Sequence, residues 1–304
     1  MMPFDMNQLS RREFVALTAG GAAAAPLASI RQTVLYAAAG LTAQDVVDRI
    51  KKNVGIEWRA DTVDTFKAGD PATVVTGVVT TSMATLAVLR LSVKAGANLI
   101  ITSGPTFYGR ADAPNPAVAN LNDPIFAAKN ELIKTERLVL CRFSDHWRAR
   151  TPDPLVQGLR DAFGWSRFTP ADDPARMSIP ATTLGALAST IKKKLNARGG
   201  IRVVGDPRTA IRKVALLPAT TAIDAALKAL PAVDAIVAGE VREWESVEYA
   251  RDTVTAGGKK GLILIGRALS EDPAMNACAR WLKTIIPEVA ITWIPVGDPY
   301  WRPA

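Results

Sequence analysis

The sequence predicts an α/β fold that contains two copies of a strand–helix–strand unit and a small inserted α+β region. The segments follow in the same order in both copies: 73–79, 82–94 and 98–102, then 212–217, 220–230 and 234–238. Such units are parallel and right-handed. We therefore expect Thr102 and Ala238 at comparable positions on the carboxyl edge of a sheet, where α/β proteins place their sites. Because unrelated βαβ units look much alike, the duplication is an interpretation of period and spacing.

Local signals define the remaining elements. The first helix opens at Thr42, a threonine cap followed by apolar Val46, Val47 and Ile50. Runs of β-branched and aliphatic residues predict strands, and apolar residues at helical spacing predict helices. Further helices are predicted at 124–134, 154–163 and 270–284, and further strands at 137–143, 261–265 and 289–295.

Composition divides the chain of 304 residues into segments. Residues 1–40 are predicted to be a twin-arginine signal peptide, 41–164 and 209–304 the main α/β domain, and 165–208 an insertion or small second domain. This last segment is less regular, and three prolines interrupt it. The length suits two domains or one domain that carries an insertion.

The N-terminal segment has the pattern of an export signal. Residues 10–17 are SRREFVAL, and an Ala- and Gly-rich apolar stretch follows up to residue 30. A comfortable transmembrane helix needs about 20 strongly apolar residues, more than this stretch offers. Small residues at 37–40 supply a cleavage site, so we expect a periplasmic or otherwise extracytoplasmic protein with no stable membrane span. An uncleaved anchor and a frayed cytoplasmic terminus are the alternatives.

Charge and rare residue types exclude several classes of function. The 37 Lys and Arg against 29 Asp and Glu give a formal charge of +8, but they are spread along the chain, which argues against nucleic-acid binding. Cys141 and Cys278 fall in a predicted strand and a predicted helix, so we expect free buried thiols. His146 is the single histidine of the sequence, which excludes any site that needs several imidazoles.

Several short segments, taken together and in order, resemble the Nif-three-like family, also named GTP cyclohydrolase type 2 homologues. They are TGVVT at 76–80, ANLIIT at 97–102, RFSDHWR at 142–148, AGEVREW at 238–244, GRALSE at 266–271 and GDPYW at 297–301. Each is weak alone, and together they span roughly residues 42 to 304. The resemblance implies an α/β fold, a toroidal hexamer, and a metal-dependent hydrolase with two metals facing an inner cavity.

The residues that the resemblance implies as metal ligands are mostly missing. Asp145 and Glu271 match the family's carboxylate ligands, and His146 lies beside the first. The other matching positions carry side chains that do not suit transition metals: Ser103, Gly104, Arg110, Ser144, Arg148 and Arg267. Two carboxylates with one imidazole would hold at most one divalent cation, with water completing its shell. No other cofactor is expected.

We therefore expect a degenerate member of the family, a homo-oligomer that is no longer a two-metal hydrolase. Arg267 paired with Asp145 or Glu271 would balance a buried carboxylate without metal. Surplus arginines would also allow binding of a small anion. The alternatives are a hydrolase that uses one cation on a small cyclic or phosphorylated substrate, and a structural subunit that assembles with an active paralogous subunit. The sequence leaves open whether the protein is an enzyme.

Simpler roles compete for two of these residues. His146, followed by Trp147, is more often a packed, hydrogen-bonded residue than a functional one. A triad of Asp145, His146 and a serine is disfavoured, because neighbours in sequence rarely let the aspartate orient the imidazole. Glu240 follows a predicted strand and begins a helix, where acids favour the helix N-terminus. The resemblance also places Glu240 at the cavity, as a secondary candidate.

Overall fold

The two predicted strand–helix–strand units form the parallel centres of two separate sheets in the computed structural model. The structure describes residues 40–109, 123–168, 173–301 and 303, which belong to one compact unit. The predicted signal peptide up to residue 39 and the predicted site residue Arg110 lie outside these ranges. None of the helices within these ranges is long and apolar enough to cross a membrane.

The first sheet has the order β1-β4-β3-β2-β10 in the described part of the chain. Its strands are β1 (Phe66–Ala68), β2 (Gly77–Thr81), β3 (Leu99–Thr102), β4 (Val139–Arg142) and β10 (Ala290–Trp293). All neighbours are parallel except β1 and β4. The helices before and between these strands are α1 (Ala43–Asn53), α2 (Leu86–Lys94), α3 (Pro124–Thr135), α4 (Asp145–Arg148) and α5 (Pro154–Phe163).

The second sheet has the order β5-β7-β8-β9-β6. Its strands are β5 (Arg176–Thr183), β6 (Arg202–Val204), β7 (Ala210–Thr220), β8 (Ala235–Glu240) and β9 (Gly261–Leu264). The central β7, β8 and β9 are parallel, and the edge strands β5 and β6 are antiparallel to them. The associated helices are α6 (Leu184–Lys194), α7 (Ile223–Ala229), α8 (Glu248–Thr255) and α9 (Arg267–Ile285). The 165–208 segment, predicted as an insertion, thus supplies both edge strands of this sheet.

Thr102 and Ala238 occupy comparable places, because β3 lies between the parallel strands β2 and β4, and β8 lies between the parallel strands β7 and β9. The predicted strand at 73–79 is wrong at its start, since β2 begins only at Gly77. Before it, the Asn98 side chain accepts from the Thr76 N–H and donates to the Val74 carbonyl, each at 2.8 Å. This amide satisfies the Thr76 N–H and the Val74 carbonyl, while residues 41–43 pair with 73–75 by backbone hydrogen bonds.

The long helix α9 joins the two sheets, because it packs against β2 and β10 of the first and β7 and β8 of the second. The Thr80 hydroxyl donates to the Met275 carbonyl at 2.8 Å and ties α9 to the first sheet. Gly158 of α5 lies so close to α9 that an added Cβ would be 2.6 Å from the Ala274 nitrogen. The first turns of α9 are therefore held from several sides.

The two cysteines are free and buried, as predicted. Burial raises the pKa of the Cys141 thiol to about 12, and it also raises the pKa of Cys278. Because the thiolate is the reactive form, neither side chain suits nucleophilic chemistry.

Candidate functional site

Glu271, one turn into α9, accepts a hydrogen bond from a protein donor at each carboxylate oxygen. The Ser103 hydroxyl, just after β3, donates to Oε2 at 2.8 Å. The Arg267 Nε donates to Oε1 at 2.8 Å from one turn earlier on the same helix. The Glu271 residue is 3% exposed, so a guanidinium and a hydroxyl balance its buried carboxylate. The predicted pairing of Arg267 with a site carboxylate is confirmed, through a single contact and not a bidentate one.

Asp145 begins α4, directly after β4, and is held by a loop that precedes β1. Its Oδ2 accepts from the Thr62 hydroxyl at 2.9 Å and from the Val63 N–H at 3.1 Å. The Arg59 guanidinium lies 3.8 Å from the same oxygen. Partial burial raises the pKa of Asp145, but these hydrogen bonds, with Arg59 and Arg142, hold it below the ordinary value.

The lowered pKa of Asp145 predicts a stability contribution that disappears in acid. A carboxyl of this kind stabilises the fold above its unfolded pKa, about 3.9, and the contribution is lost as pH falls through the lower folded pKa. We expect Asp145→Asn to lower the free energy of unfolding near neutral pH and to lower it by less near about pH 3. Urea denaturation at both pH values measures this, and an equal loss at both would contradict it.

His146 has both ring nitrogens engaged inside the protein. Its Nε2 lies 2.9 Å from the Arg59 backbone N–H, so it accepts and carries no proton. The Nδ1–H consequently donates to Asp64 Oδ2 at 2.7 Å. The ring is fully buried and stacks on Trp58 with centroids 3.8 Å apart. The packed, hydrogen-bonded role predicted for His146 is confirmed, and no ring nitrogen is left for a metal.

Asp64 holds the turn at residues 144–146 by hydrogen bonds, although no sequence pattern singled it out. Its Oδ1 accepts from the backbone N–H groups of Ser144 at 2.6 Å and Asp145 at 3.0 Å. Its Oδ2 accepts from the His146 N–H at 2.8 Å as well as from the ring. The turn at 144–146 therefore wraps around one buried carboxylate, and this wrapping fixes where Asp145 points.

Arg142, at the end of β4, acts on Asp145 by its charge and hydrogen-bonds to Ser103, the residue whose hydroxyl binds Glu271. It is buried, its Nε donates to the Ser103 carbonyl at 3.2 Å, and its charge lowers the pKa of Asp145. Three guanidiniums, those of Arg59, Arg142 and Arg267, thus accompany the carboxylates of Asp145 and Glu271.

The remaining predicted positions lie at the cavity edge, in the protein interior or on the surface. Glu240, at the end of β8, is exposed and lines a cavity of about 810 Å³ together with Arg267. Gly104 packs against backbone, since an added Cβ would be 2.7 Å from the Ser82 carbonyl oxygen. Ser144 is buried at the turn held by Asp64. Arg148 is exposed, and its charge partly offsets the burial that raises the pKa of Asp153. The structure therefore does not bring Arg148 to the site.

These residues do not fit the dinuclear metal centre that the resemblance implies. Within the described ranges, no three His, Cys, Asp or Glu side chains converge as metal ligands would. Glu271 is occupied by Arg267 and Ser103, and His146 by Asp64 and a backbone N–H. Two bridged metals need several free carboxylate and imidazole donors.

Comparison with solved structures identifies proteins that share this architecture. Staphylococcus aureus hypothetical protein SA1388 aligns with a TM-score of 0.66 at 17% identity, over 87% of this chain and 100% of that chain. A Bacillus cereus protein related to NIF3 aligns with a TM-score of 0.65 at 13% identity, over 86% of this chain and 99% of that one. The chain has the NIF3-related fold. The predicted Nif-three-like α/β fold is therefore confirmed.

A third protein with the NIF3-related fold, TTHA1606 from Thermus thermophilus, aligns with a TM-score of 0.61 at 15% identity, over 85% of this chain and 99% of that chain. No protein-family model and no curated protein sequence matches the chain. At these identities the likeness concerns the fold, and function has to be argued from the site.

Proposed function

We propose that this chain is an exported Nif-three-like protein whose strand-end site has exchanged metal for arginine, and that it binds a small anion without hydrolysing it. The observation that carries the proposal is the buried carboxylate of Glu271, which is balanced by Arg267 and Ser103. The positive charge of Arg267, 2.8 Å from this carboxylate, opposes the approach of a metal cation. The protein itself therefore supplies the positive charge that a metal would bring.

Arg267 has donors to spare for an anion. A guanidinium carries five N–H groups, as a general property of arginine, and among the described residues Arg267 donates only through Nε, to Glu271. Its side chain is 37% exposed and lines the cavity of about 810 Å³. Terminal guanidinium nitrogens bind phosphate or carboxylate oxygens in pairs, which favours an anion over a neutral ligand.

Metal analysis and an Arg267 variant test the proposal together. We expect the purified protein to hold no stoichiometric metal before or after chelator treatment, and to bind inorganic phosphate in calorimetry. Arg267→Ala should weaken phosphate binding about tenfold or more, a loss near 1.4 kcal/mol. Because it also leaves the buried Glu271 without its ion pair, the variant should lose about 1–3 kcal/mol of unfolding free energy.

Arg251→Ala, at an exposed arginine of α8, is the matched control and should leave phosphate binding and melting unchanged. One or two equivalents of tightly held metal would contradict the proposal and favour the hydrolase alternative with a divalent cation. Unchanged melting together with unchanged phosphate binding in Arg267→Ala would contradict the arginine-for-metal exchange itself.

The same proposal includes export and assembly. Export rests on the N-terminal pattern alone, and assembly rests on the family resemblance alone. We propose a periplasmic homo-oligomer, with the hexamer as the family's expectation. Replacing Arg11 and Arg12 by lysine should retain the protein in the cytoplasmic fraction. Light scattering on the mature protein gives the mass of the assembly. A monomer, or co-purification with a paralogous chain in fixed ratio, would contradict the homo-oligomer.

A further inference from the structure

A second cavity, of about 570 Å³, is lined by neither Glu271 nor Arg267, although Leu269 and Asp298 line both this cavity and the one of about 810 Å³. It is bounded by α5, the end of α6, one face of α9 and the chain segment that follows β10. Its volume falls within the range typical of small-molecule sites, about 300–1,000 Å³. The positions that α9 contributes, 269, 272, 273, 276 and 280, recur at helical spacing and form one continuous wall.

The three carboxylates of this cavity are already satisfied within the protein. Asp161 accepts from the Ser166 hydroxyl at 2.5 Å. Asp272 accepts from the Ser82 hydroxyl at 2.5 Å and from the Gly297 N–H at 3.0 Å, and burial raises its pKa above the ordinary value. Asp298 accepts from the Gly199 N–H at 2.9 Å and the Tyr300 N–H at 3.0 Å. None of them needs a cation from a ligand.

The basic and amide groups of the cavity, by contrast, have donors to spare. Lys194 and Arg280 are exposed and form no ion pair or hydrogen bond with any residue that the structure describes. Arg198 donates one hydrogen bond to the Asp298 carbonyl at 3.1 Å. The Asn276 side chain is half-buried and makes no hydrogen bond within the described ranges. The three basic side chains equal the three carboxylates in number, so the wall offers a ligand free hydrogen-bond donors from its basic and amide groups and not an excess of positive charge.

Most of the remaining wall is apolar. Leu195, Leu269, Pro273, Trp293 and Pro295 contribute aliphatic and aromatic surface. Concave apolar surface of this kind favours a ligand with a hydrocarbon body, because covering it removes apolar area from water. A fully hydrated inorganic ion would leave this surface unused.

We propose that this cavity is a binding site for a small organic acid, with its carboxylate beside Asn276, Lys194 and Arg280 and its apolar or aromatic body against Trp293 and the prolines. The site goes beyond the proposed function, since it uses neither Arg267 nor Glu271. A carboxylate suits the arginine because two guanidinium N–H groups match its two oxygens. The amide of Asn276 adds a donor that a neutral, purely apolar ligand would leave unpaired.

Calorimetry on the mature protein with phenylacetate and its neutral analogue phenylacetamide tests this site. We expect phenylacetate to bind and phenylacetamide to bind at least about tenfold more weakly. Arg280→Gln, at an exposed side chain, should fold normally and weaken phenylacetate binding about fivefold or more. Asn276→Phe should remove the amide donor, narrow the cavity beside Arg280 and weaken phenylacetate binding. Arg212→Gln, at an exposed arginine of β7 outside the cavity, is the matched control.

No measurable binding of phenylacetate at millimolar concentration, equal affinity for the amide, or unchanged affinity in Arg280→Gln would each overturn the proposal. The experiments distinguish failure of the proposal for one site from failure of the proposal for the other. Loss of phosphate binding in Arg267→Ala with intact phenylacetate binding concerns only the strand-end site, and the reverse pattern in Arg280→Gln concerns only this cavity.

Discussion

Asp64→Asn is expected to lower the free energy of unfolding by about 3 kcal/mol, because it leaves buried donors without acceptors. The side chain is fully buried, and each oxygen accepts two hydrogen bonds. In asparagine one of these oxygens becomes an NH₂ group. In either orientation of the amide, that NH₂ faces two N–H groups, each costing about 1–3 kcal/mol when buried and unpaired.

Asp61→Asn, at an exposed aspartate three residues earlier, is the control and should change the unfolding free energy by less than about 0.5 kcal/mol. Chemical denaturation of both variants measures the difference. Equal midpoints and slopes for Asp64→Asn and the wild type would contradict the role assigned to Asp64. Because Asp64 also sets the turn at 144–146, the variant should lose the pH-dependent stability that Asp145 contributes.

Gly158→Val is expected to lower the free energy of unfolding by about 3 kcal/mol, near the upper end for overpacking a core. A Cβ at this position would lie 2.6 Å from the Ala274 nitrogen and 2.8 Å from the Pro273 carbonyl carbon. Both are backbone atoms, so no side-chain rotation relieves the contact. The α9 helix cannot simply move away, since Thr80 and Asp272 attach it to the first sheet and to the C-terminal segment.

Gln157→Val, at the exposed neighbouring position of α5, is the control, because it places the same β-branched residue in the helix without the close contact. Thermal melting compares the two, and Gly158→Ala keeps the comparison possible where the valine variant does not fold. A melting temperature of Gly158→Val equal to that of Gln157→Val would contradict the close packing of α5 on α9.

Elements with strong local signals could be predicted closely from the sequence. The helix predicted at 154–163 has these bounds in the structure, because Asp153 caps it, proline occupies its first position, and Gly164 ends it with a positive φ of 71°. The edge strands β5 and β6 were not predicted. Their pairing depends on β7 and β9 from distant parts of the chain, and Pro180 interrupts the local pattern.

The candidate site also contains one contact that a local pattern predicts and one residue that no local pattern reveals. The contact of Arg267 with Glu271 spans one helical turn, so the predicted helix already brings these side chains to one face. Asp64 lies in a polar stretch without periodic pattern, and its partners are about 80 residues away in the chain. No local rule connects such positions.

The sequence by itself determined the α/β class, the repeated strand–helix–strand units, the free buried cysteines and the shortage of imidazole ligands. Periodicity and capping act over a few residues, and residue counts do not depend on any contact in the fold. Only the tertiary structure decided that His146 is hydrogen-bonded to Asp64 and that Glu271 is paired with Arg267 and Ser103. It also decided that a second cavity lies along α9. Those outcomes depend on groups from separate elements meeting in three dimensions, where burial leaves each donor and acceptor only the partners that the fold brings to it.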